Sequence, residues 1–432
     1  MSTITITHVE HDKGALQFVL AGSPEYGLDK SIANAIRRTL LNDIPTVAFE
    51  TEEGAVQKDL TMVINRSALH NEMLLHRIAM VPLYLNPEEY RKHYFFECHV
   101  KHESSHPFTF ITANDMNIYP LRKHLADRIH DLHDESVESD PHEAETLKTL
   151  LATHSPDNYD LLKPLTQKEK DLILRPFEFG GNTHYCLLNE LKHTGTAGVF
   201  QEVHVFGSPS VNTAQHNSRY QAVSQASYSF VKDDDLIQST LEARLSLKKV
   251  SEEEVPRFTK RFMLGESERY FKRDQFNEPT QYLFKIKSTH FWSEDVLFQK
   301  ACEILKDGCD AIKKGLLGLL QETPTTITLI QDNELQYALT MNQQSHTLGN
   351  ALQNHLTRRS IVDDGMLLTC GYKKPHPLEE SIIVYLSLNP SHKLAKDTEL
   401  HKTQAVLTFL MDQLDELKDI FQTIQECAQK TL

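Results

Sequence analysis

Residues 31–40 read SIANAIRRTL and residues 347–356 read TLGNALQNHL, and these two stretches decide the fold. The apolar residues of the first stretch recur at helical spacing, and Asp29 or Ser31 can cap its helix. When the stretches are aligned, the matching pairs are Asn34 with Asn350, Ala35 with Ala351, Ile36 with Leu352, and Leu40 with Leu356. Each motif helix follows a predicted pair of strands, and each half of the chain ends in one long amphipathic helix. The sequence therefore predicts two copies of one sheet-plus-helix unit.

The two copies differ in the distance between the motif and the final helix. The first copy reaches its long helix only at Ser293, whereas the second reaches its own at His401. The excess in the first copy is large enough for a whole domain, and 432 residues predict about three domains. The predicted division is a first dimerisation unit split over 1–51 and 223–322, a mainly β inserted domain over 52–222, and a second dimerisation unit over 323–432.

Both long helices carry apolar residues on one side, from Ser293 to about Gln321 and from His401 to Lys430. Pairing the two stripes would remove apolar area from water at about 25 cal/mol per Å² and would give an intrachain pseudo-dimer. The alternative is that each helix covers only its own sheet, and periodicity alone does not separate the two. The residues predicted to form the pairing are Leu297, Ile304, Leu316, Leu410, Leu417 and Phe421.

Composition and charge narrow the class of protein. The formal net charge of −15 is unfavourable for a protein whose main task is gripping a phosphate backbone, because that affinity comes from a basic face. No stretch approaches the ~18 uncharged apolar residues of a membrane span, and the N-terminus shows no secretory signal. The six cysteines are scattered without a Cys-x-x-Cys pair, which disfavours structural zinc and indicates free thiols in a reducing compartment.

Residues 127–146 differ from the rest of the chain in charge. They carry eight carboxylates against one arginine, which predicts a solvated loop or a mobile insertion that extends to residue 160. His130, His133 and His142 invite a metal site, but their spacing does not support a fixed one. We therefore predict no metal and no cofactor.

Longer stretches around the two motifs resemble a known family. LDKSIANAIRRTLLNDIPTVAFE (28–50) and INRSALHNEMLLHRIAMVPLYL (64–85) together resemble the N-terminal part of the third-largest subunit of multisubunit DNA-directed RNA polymerases, the counterpart of the bacterial alpha subunit. SHTLGNALQNHL (345–356), followed by GYKKPHPLEESIIVYL (371–386), is similar to the small eleventh-subunit type, which is the archaeal L subunit. The motifs are long and occur in order along the chain.

The resemblance implies an α+β fold with two alpha-like dimerisation units, each an antiparallel sheet with long helices. It also implies a non-catalytic function. In this family the two halves dimerise through their helices and form the platform on which the two largest, catalytic subunits assemble for DNA-templated transcription. The implied partners are these two subunits and small polymerase subunits, including a tenth-subunit-like zinc protein. Neither a sequence-specific contact with nucleic acid nor a membrane is expected.

The resemblance also places partner contacts on the matching motifs. The first motif helix would face the second-largest subunit through Arg37 and Arg38, whose guanidinium groups suit bidentate pairing with a partner. A solvated surface pair is the alternative reading of these arginines. The second matching stretch would contribute either to the same interface or to a capped core segment through His70, Asn71, Glu72, His76 and Arg77.

In the second copy, His346 and Asn350 are expected to serve turn and helix-capping roles first, and contact with the largest subunit second. No residue is predicted to be catalytic. An enzyme in its own right would need a nucleophile–base pair or a metal triad, and the sequence has no GxSxG motif or P-loop. The other rival is a free nucleic-acid-binding adaptor, which the net charge disfavours.

Two features depart from the family. Its two subunits are separate chains in cellular enzymes, and their fusion here suggests the polymerase of a large DNA virus. An intracellular location then follows, in a cytoplasmic viral factory or a virion if the chain is viral and otherwise in the nucleus. Many relatives hold a zinc loop or an iron–sulfur site in the inserted domain, where only Cys98 and Cys186 are available here. No metal is therefore carried over from the resemblance.

Overall fold

A computed structural model of the chain describes residues 4–12, 14–22, 27–53, 56–57, 59–90, 94–102, 107–120, 164–195, 199–275, 277–363, 365–396 and 398–432. Helices and strands are mixed, and every strand pairing within these ranges is antiparallel. The predicted α+β class is therefore confirmed. The acidic segment predicted at 127–160, with its three histidines, lies outside the described residues.

The elements alternate along the chain. The strands up to the middle of the chain are β1 (Thr5–Asp12), β2 (Ala15–Ala21), β3 (Thr46–Ala48), β4 (Glu52–Glu53), β5 (Val56–Gln57), β6 (Leu60–Asn65), β7 (Tyr94–Lys101), β8 (Phe108–Thr112), β9 (Met116–Pro120), β10 (Phe177–Phe179), β11 (Asn182–His184), β12 (Leu187–Lys192), β13 (Glu202–Gly207) and β14 (Ser210–Asn212). The later strands are β15 (Val223–Phe230), β16 (Gln281–Ser288), β17 (Ile327–Asn333), β18 (Gln336–Asn342), β19 (Leu367–Lys373) and β20 (Ser381–Leu388). The α-helices are α1 (Lys30–Asn42), α2 (Asn71–Ala79), α3 (Gln167–Ile173), α4 (Asp234–Lys248), α5 (Val255–Gly265), α6 (Glu294–Leu320), α7 (His346–Leu356) and α8 (Glu399–Thr431).

The chain folds as two compact units. The first comprises Met1–Ile44, Val223–Ser288 and Ser293–Leu432, and the second comprises Pro45–Ala222 and Thr289–Trp292. The predicted boundary at residue 51 falls inside the second unit, because β3 pairs with β14 of that unit. The further division of the first unit into two duplicated halves stays a prediction.

The first unit contains a four-stranded sheet in the order β1-β2-β16-β15. Phe18 of β2 lies opposite Phe284 of β16, and their rings stack with centroids 5.6 Å apart. Phe298 of α6 meets Phe18 edge to face at 4.9 Å, an arrangement that aromatic pairs favour. Helix α1 packs against β15 and α6, so the first motif helix lies within this core.

The same unit contains a second four-stranded sheet, in the order β17-β18-β20-β19. Helix α7, the second motif helix, packs on β19 and β20. It approaches this sheet closely at Gly349, where an added Cβ would lie 2.7 Å from Cδ1 of Ile382 and 3.1 Å from the ring of Tyr372. A larger residue at this position would therefore force the side chain of Ile382 to move.

The long helices α6 and α8 pack on each other in the first unit. Lys306 of α6 donates to the side chain of Gln422 at 2.6 Å, and Lys313 donates to both carboxylate oxygens of Asp415 at 2.7 and 2.6 Å. The partners recede along α8 as the lysines advance along α6. The two helices therefore run antiparallel.

The second unit is built mainly of strands, with a sheet in the order β6-β13-β7-β9 and a separate pair of β8 with β12. Its core includes the edge-to-face pair of Phe49 and Phe96, whose centroids lie 5.2 Å apart. Leu74, Leu75 and Ile78 of α2 are buried in the same core. None of the helices in the described part of the chain has the length and apolar content of a membrane-spanning segment.

Candidate subunit-interaction site

The first motif helix, α1, is capped by Asp29. Its carboxylate oxygen Oδ1 accepts from the backbone N–H of Ser31 at 2.7 Å and of Ile32 at 3.1 Å, which satisfies two donors at the helix start. The buried face of the helix carries Ile32, Ala35, Ile36, Thr39 and Leu40, as its spacing predicts. Of the two capping candidates in the sequence, the aspartate is the one used.

Arg37 and Arg38 are both half-buried, and both donate within the first unit. Arg37 donates from Nε at 3.0 Å and from Nη2 at 2.8 Å to Oδ1 of Asn34, one turn earlier. Arg38 donates from Nε to Oγ1 of Thr347 at 3.0 Å, across to the second motif helix. Each arginine therefore uses part of its guanidinium group within the chain, and sequence reasoning missed Thr347 as a partner.

The contacts between the two motif helices are almost symmetric. In the register of the aligned stretches, Thr347 is equivalent to Ser31 and Asn354 is equivalent to Arg38. Where the mirror of the Arg38–Thr347 contact would lie, the structure has a small cavity between α1 and α7. Its lining residues are Gly27, Asp29, Ser31, Ile32, Ala351, Asn354, His355 and Arg358. The shorter Asn354 lines this cavity.

The predicted largest-subunit residues lie at the start of α7. His346 is exposed, and its Nδ1 lies 3.2 Å from the hydroxyl of Tyr372, while Asn350 is half-buried. Neither caps the helix. That role falls to Ser345, whose hydroxyl accepts from the backbone N–H of Thr347 at 3.3 Å, because a cap must precede the first helical residue. The capping role predicted for His346 and Asn350 is therefore wrong.

Helix α2 presents two different faces. Leu74, Leu75, Ile78 and Ala79 are buried in the core of the second unit. The predicted partner-binding residues are exposed, and these are His70, Asn71, Glu72, His76 and Arg77. Sequence reasoning left open an interface or a capped core segment. The apolar side of the helix is core and its polar side is exposed, so a core role holds for the apolar side and the interface stays a prediction.

Two methionines that sequence reasoning missed share the exposed face of α2. Met73 is 61% exposed and Met80 is 63% exposed, and with His76 and Arg77 they follow the i, i+3, i+4, i+7 spacing of one helix face. Together with Leu187, which is 49% exposed, they edge an open groove. Exposed methionines suit a contact surface because their flexible thioethers adapt to a partner. We call this surface the α2 groove, and its lining residues are Met73, His76, Arg77, Met80, Val81, Cys186, Leu187 and Leu188.

Two contacts hold the polar side of α2 in place. Arg77 donates from Nη2 to the backbone carbonyl of Leu187 at 2.9 Å, which ties the helix to β12. Asn71 accepts from Nδ2 of Asn65 at 2.8 Å.

Burial raises the pKa of the Cys186 thiol, which lines the groove, so this sulfur is neutral near pH 7. The groove therefore offers an apolar floor with a single fixed guanidinium at its edge.

The residues predicted for intrachain pairing lie in the packed part of α6 and α8. Leu297, Leu316, Leu410, Leu417 and Phe421 are buried, and Ile304 is half-buried. Their assignment to a pairing of two halves stays a prediction.

One metal motif escaped sequence reasoning. Residues 102–106 read HESSH, which matches the H-E-x-x-H pattern of zinc proteases, a pattern that binds metal only on a helix. His102 lies immediately after strand β7, and its Nδ1 pairs with Oγ1 of Thr109 at 2.7 Å. Within the described part of the chain, three or more His, Cys, Asp or Glu side chains nowhere come together as a metal would need.

Two segments of the chain match known families of the same description. Residues 25–309 and residues 336–426 each match an RNA polymerase Rpb3/Rpb11 dimerisation domain. The first motif helix and the α2 groove lie in the first segment, and the second motif helix lies in the second.

Individual relatives match a shorter stretch. The DNA-directed RNA polymerases I and III subunit rpac1 of Dictyostelium discoideum is 32% identical over 110 residues, which cover 23% of this chain and 28% of that protein. The DNA-directed RNA polymerase subunit Rpo3 of Pyrococcus furiosus is 36% identical over 83 residues, covering 19% of this chain and 27% of that protein. The human RPAC1 subunit is 34% identical over 85 residues, covering 19% and 21%. The chain thus spans less than a third of the length of these relatives.

Proposed function

Since the chain belongs to the RNA polymerase Rpb3/Rpb11 dimerisation domain family, we propose that it is a non-catalytic assembly-platform subunit of a DNA-directed RNA polymerase. Its two alpha-like halves pair within one chain, and the pair nucleates assembly of the largest and second-largest, catalytic subunits. The observation that carries this proposal is the duplicated motif helix. Helices α1 and α7 lie in the two separately matching segments, and they pack on each other.

The contacts of α6 with α8 support the pairing of two halves. Burying a leucine such as Leu316, Leu410 or Leu417 stabilises the fold by about 1.5–3 kcal/mol relative to leaving it exposed. The bidentate pairs of Lys313 with Asp415 and of Lys418 with Asp310 flank this apolar seam. Helices that covered only their own sheets would have no reason to carry charges matched across the two halves. These contacts favour the pseudo-dimer over the alternative.

The α2 groove is the surface we assign to the second-largest subunit, with His70, Asn71, Glu72 and Arg77 at its polar side. Its exposed methionines and Leu187 provide apolar area that a monomeric protein gains nothing by exposing. Arg37 is assigned to the same partner through the guanidinium N–H groups that Asn34 leaves free. Arg38 is assigned a smaller share, because its Nε is already used by Thr347.

His346 and Asn350 are assigned to the largest subunit, and small polymerase subunits, including a tenth-subunit-like zinc protein, complete the set of partners. The presence of both halves in one chain suggests the polymerase of a large DNA virus. Transcription would then take place in a cytoplasmic viral factory or from a virion, and in the nucleus if the chain is cellular.

Co-expression with the two largest subunits tests the function. We expect the full chain to co-purify with both in equal amounts, as measured by native mass spectrometry, and to polymerise no nucleotides by itself. The reverse result, in which the pure chain makes RNA alone or never joins the complex, would overturn the platform function.

A charge substitution in the α2 groove tests the partner assignment. We expect the double variant Met73→Glu/Met80→Glu to fold normally, since both side chains are exposed, and to enter the complex at least tenfold less. The matched control Val63→Glu/Leu172→Glu adds the same charge at two other exposed apolar positions of the same unit. Incorporation of the groove variant at the control's level would refute the assignment and leave the platform function standing.

A further inference from the structure

The connection between β15 and β16 is far longer than their pairing requires. The strands are antiparallel neighbours, with Phe230 opposite Tyr282, and a turn of about two to five residues would join them. Residues 231–280 make the connection instead, and they include helices α4 and α5. Long connections in compact domains usually serve a function of their own. The proposed pairing of two halves does not require the connection over residues 231–280.

Helices α4 and α5 form a small module with its own core. Ile237 and Leu241 of α4 pack with Phe262 of α5 in a separate apolar cluster. Arg244 of α4 ties the end of this module together through Glu266 and through the hydroxyl of Tyr270 at 3.1 Å. The module is therefore a helix pair held together by its own apolar cluster and by the contacts of Arg244.

The outer face of α5 combines positive charge with apolar area. Phe258 and Phe262 point to α4, whereas Arg257, Lys260, Arg261 and Leu264 follow the i, i+3, i+4, i+7 spacing of the opposite face and are all exposed. Leu264 is 78% exposed, and the neighbouring Met263 is 44% exposed. None of the three cations forms an ion pair with another described residue. We call this surface the α5 face.

We propose that the α5 face docks an acidic amphipathic segment of a partner protein. Three cations on one helix face stand out on a chain with a net charge of −15, and they complement carboxylates rather than more cations. Leu264 and Met263 supply the apolar area that a helix laid along this face would cover. The inference does not depend on the proposed polymerase function, because it concerns a surface outside the duplicated elements.

Other occupants fit this face less well. A phosphate backbone would use the cations but would gain nothing from the exposed leucine. A membrane surface needs a broad apolar face, whereas the inner aromatic residues of α5 are already packed on α4. A second copy of this acidic chain would bring a net charge of the same sign.

The acidic residues Glu252, Glu253 and Glu254 set the direction of docking. They precede α5 at its N-terminal end, where negative charge is favourable beside the helix dipole. They would repel the carboxylates of a partner near Arg257. The partner's acids would therefore lie over Lys260 and Arg261, with its apolar residues on Leu264.

A binding measurement on the full chain tests this proposal. The probe is a fluorescent helical peptide that carries glutamates and leucines in successive turns of the same face, and its anisotropy reports binding. We expect the Arg257→Glu/Lys260→Glu/Arg261→Glu variant and the single Leu264→Gln variant each to bind at least tenfold more weakly than the native chain. The control Arg269→Glu/Lys272→Glu/Arg273→Glu makes the same charge change at exposed positions of the same connection and should bind normally.

Three comparators separate the occupants. They are the same peptide with lysine in place of glutamate, a single-stranded DNA oligonucleotide, and vesicles of phosphatidylserine. Binding of the acidic peptide that is lost with Leu264→Gln supports protein docking, since phosphate binding would not need this leucine. The proposal is overturned if the acidic peptide does not bind, if the control variant weakens binding equally, or if the oligonucleotide or the vesicles bind more tightly. Circular dichroism of each variant establishes that the helices remain folded.

Discussion

Helices α1 and α7 are two copies of one motif, and they keep their apolar residues while they differ in their polar ones. Ile36 and Leu352 occupy the same position and are both buried, as are Leu40 and Leu356. The cap is Asp29 in the first copy and is supplied by the equivalent serine in the second. The matching apolar residues are those that pack within the core, so the two helices are alike in their packing.

The differences lie where the two helices face each other and their surroundings. Arg38 reaches Thr347 on one side of the pair, whereas the equivalent Asn354 faces a cavity on the other. A buried threonine, Thr39, in the first copy is matched by a buried histidine, His355, in the second. The pair is therefore close to symmetric in its apolar core and asymmetric in its polar contacts.

Truncating the shared core residues should have the largest effect. Leu40→Ala and Leu356→Ala each leave a cavity in a fully buried site and should lower the free energy of unfolding by about 2–5 kcal/mol. If the two copies form one cooperative unit, both variants shift the same single transition in urea denaturation. The exposed Leu400→Ala is the control and should change stability by less than about 0.5 kcal/mol. Two separate transitions, each sensitive to one variant, would show that the copies fold independently.

His355 should make the second copy sensitive to acid. Burial first, and then the neighbouring Arg359, lower the pKa of His355 from 6.5 to about 4, even though Glu416 lies 3.6 Å away and Asp29 acts in the opposite direction. Below pH ~6.5 His355 is protonated in the unfolded chain, whereas in the folded chain it stays neutral down to about pH 4. The stability that neutral His355 contributes is thus fully present above pH ~6.5 and should fall by roughly 3 kcal/mol as the pH drops to 4.

The variant His355→Leu isolates this contribution, because leucine cannot titrate and Thr39 at the equivalent position does not either. Burial also lowers the pKa of His290, in the second unit, to about 4, so the native chain keeps part of its pH dependence in any case. The difference between the variant and the native chain across pH 4 to 7 is the quantity to measure by urea denaturation. Equal slopes for both chains would rule out His355 as the source.

The close approach of α7 to its sheet gives a smaller effect. Gly349→Ala places a methyl group 2.7 Å from Cδ1 of Ile382, and the resulting overpacking should cost about 1–2 kcal/mol beyond any gain in helix propensity. Ile382→Val removes the atom in the way, so the double variant should recover part of the loss. The control Gly371→Ala meets nothing within 4 Å. A thermal melt of Gly349→Ala at or above the native temperature would mean that the neighbours move at no cost.

Local signals predicted much of this fold from sequence, since helical periodicity and caps depend on neighbours along the chain. They identified both motif helices and the long helix that follows Ser293. The stripe of Met73, His76, Arg77 and Met80 was also readable, because an exposed apolar residue at helical spacing marks an open face. These methionines were not predicted because helical spacing was used only to identify buried residues.

Other features could not be read locally. The contact of Arg38 with Thr347 joins residues 309 positions apart, and only the packing of α1 on α7 brings them together. The α4–α5 module has no counterpart in the second copy, so the repeat says nothing of it. HESSH shows the opposite failure, because a short pattern matches while its first residue, His102, directly follows strand β7, and residues 103–106 lie outside the described residues.

The polar asymmetry between α1 and α7 should be measurable as a coupling energy. A double-mutant cycle of Arg38→Ala with Thr347→Val should give about 1 kcal/mol, because their hydrogen bond of 3.0 Å is half-buried. The equivalent cycle of Asn354→Ala with Ser31→Ala should give a coupling near zero, since a cavity lies between these residues. Urea denaturation of the native chain, the four single variants and the two double variants provides both values. Equal couplings in the two cycles would mean that the helix pair is symmetric in solution and that Arg38 does not distinguish its sides.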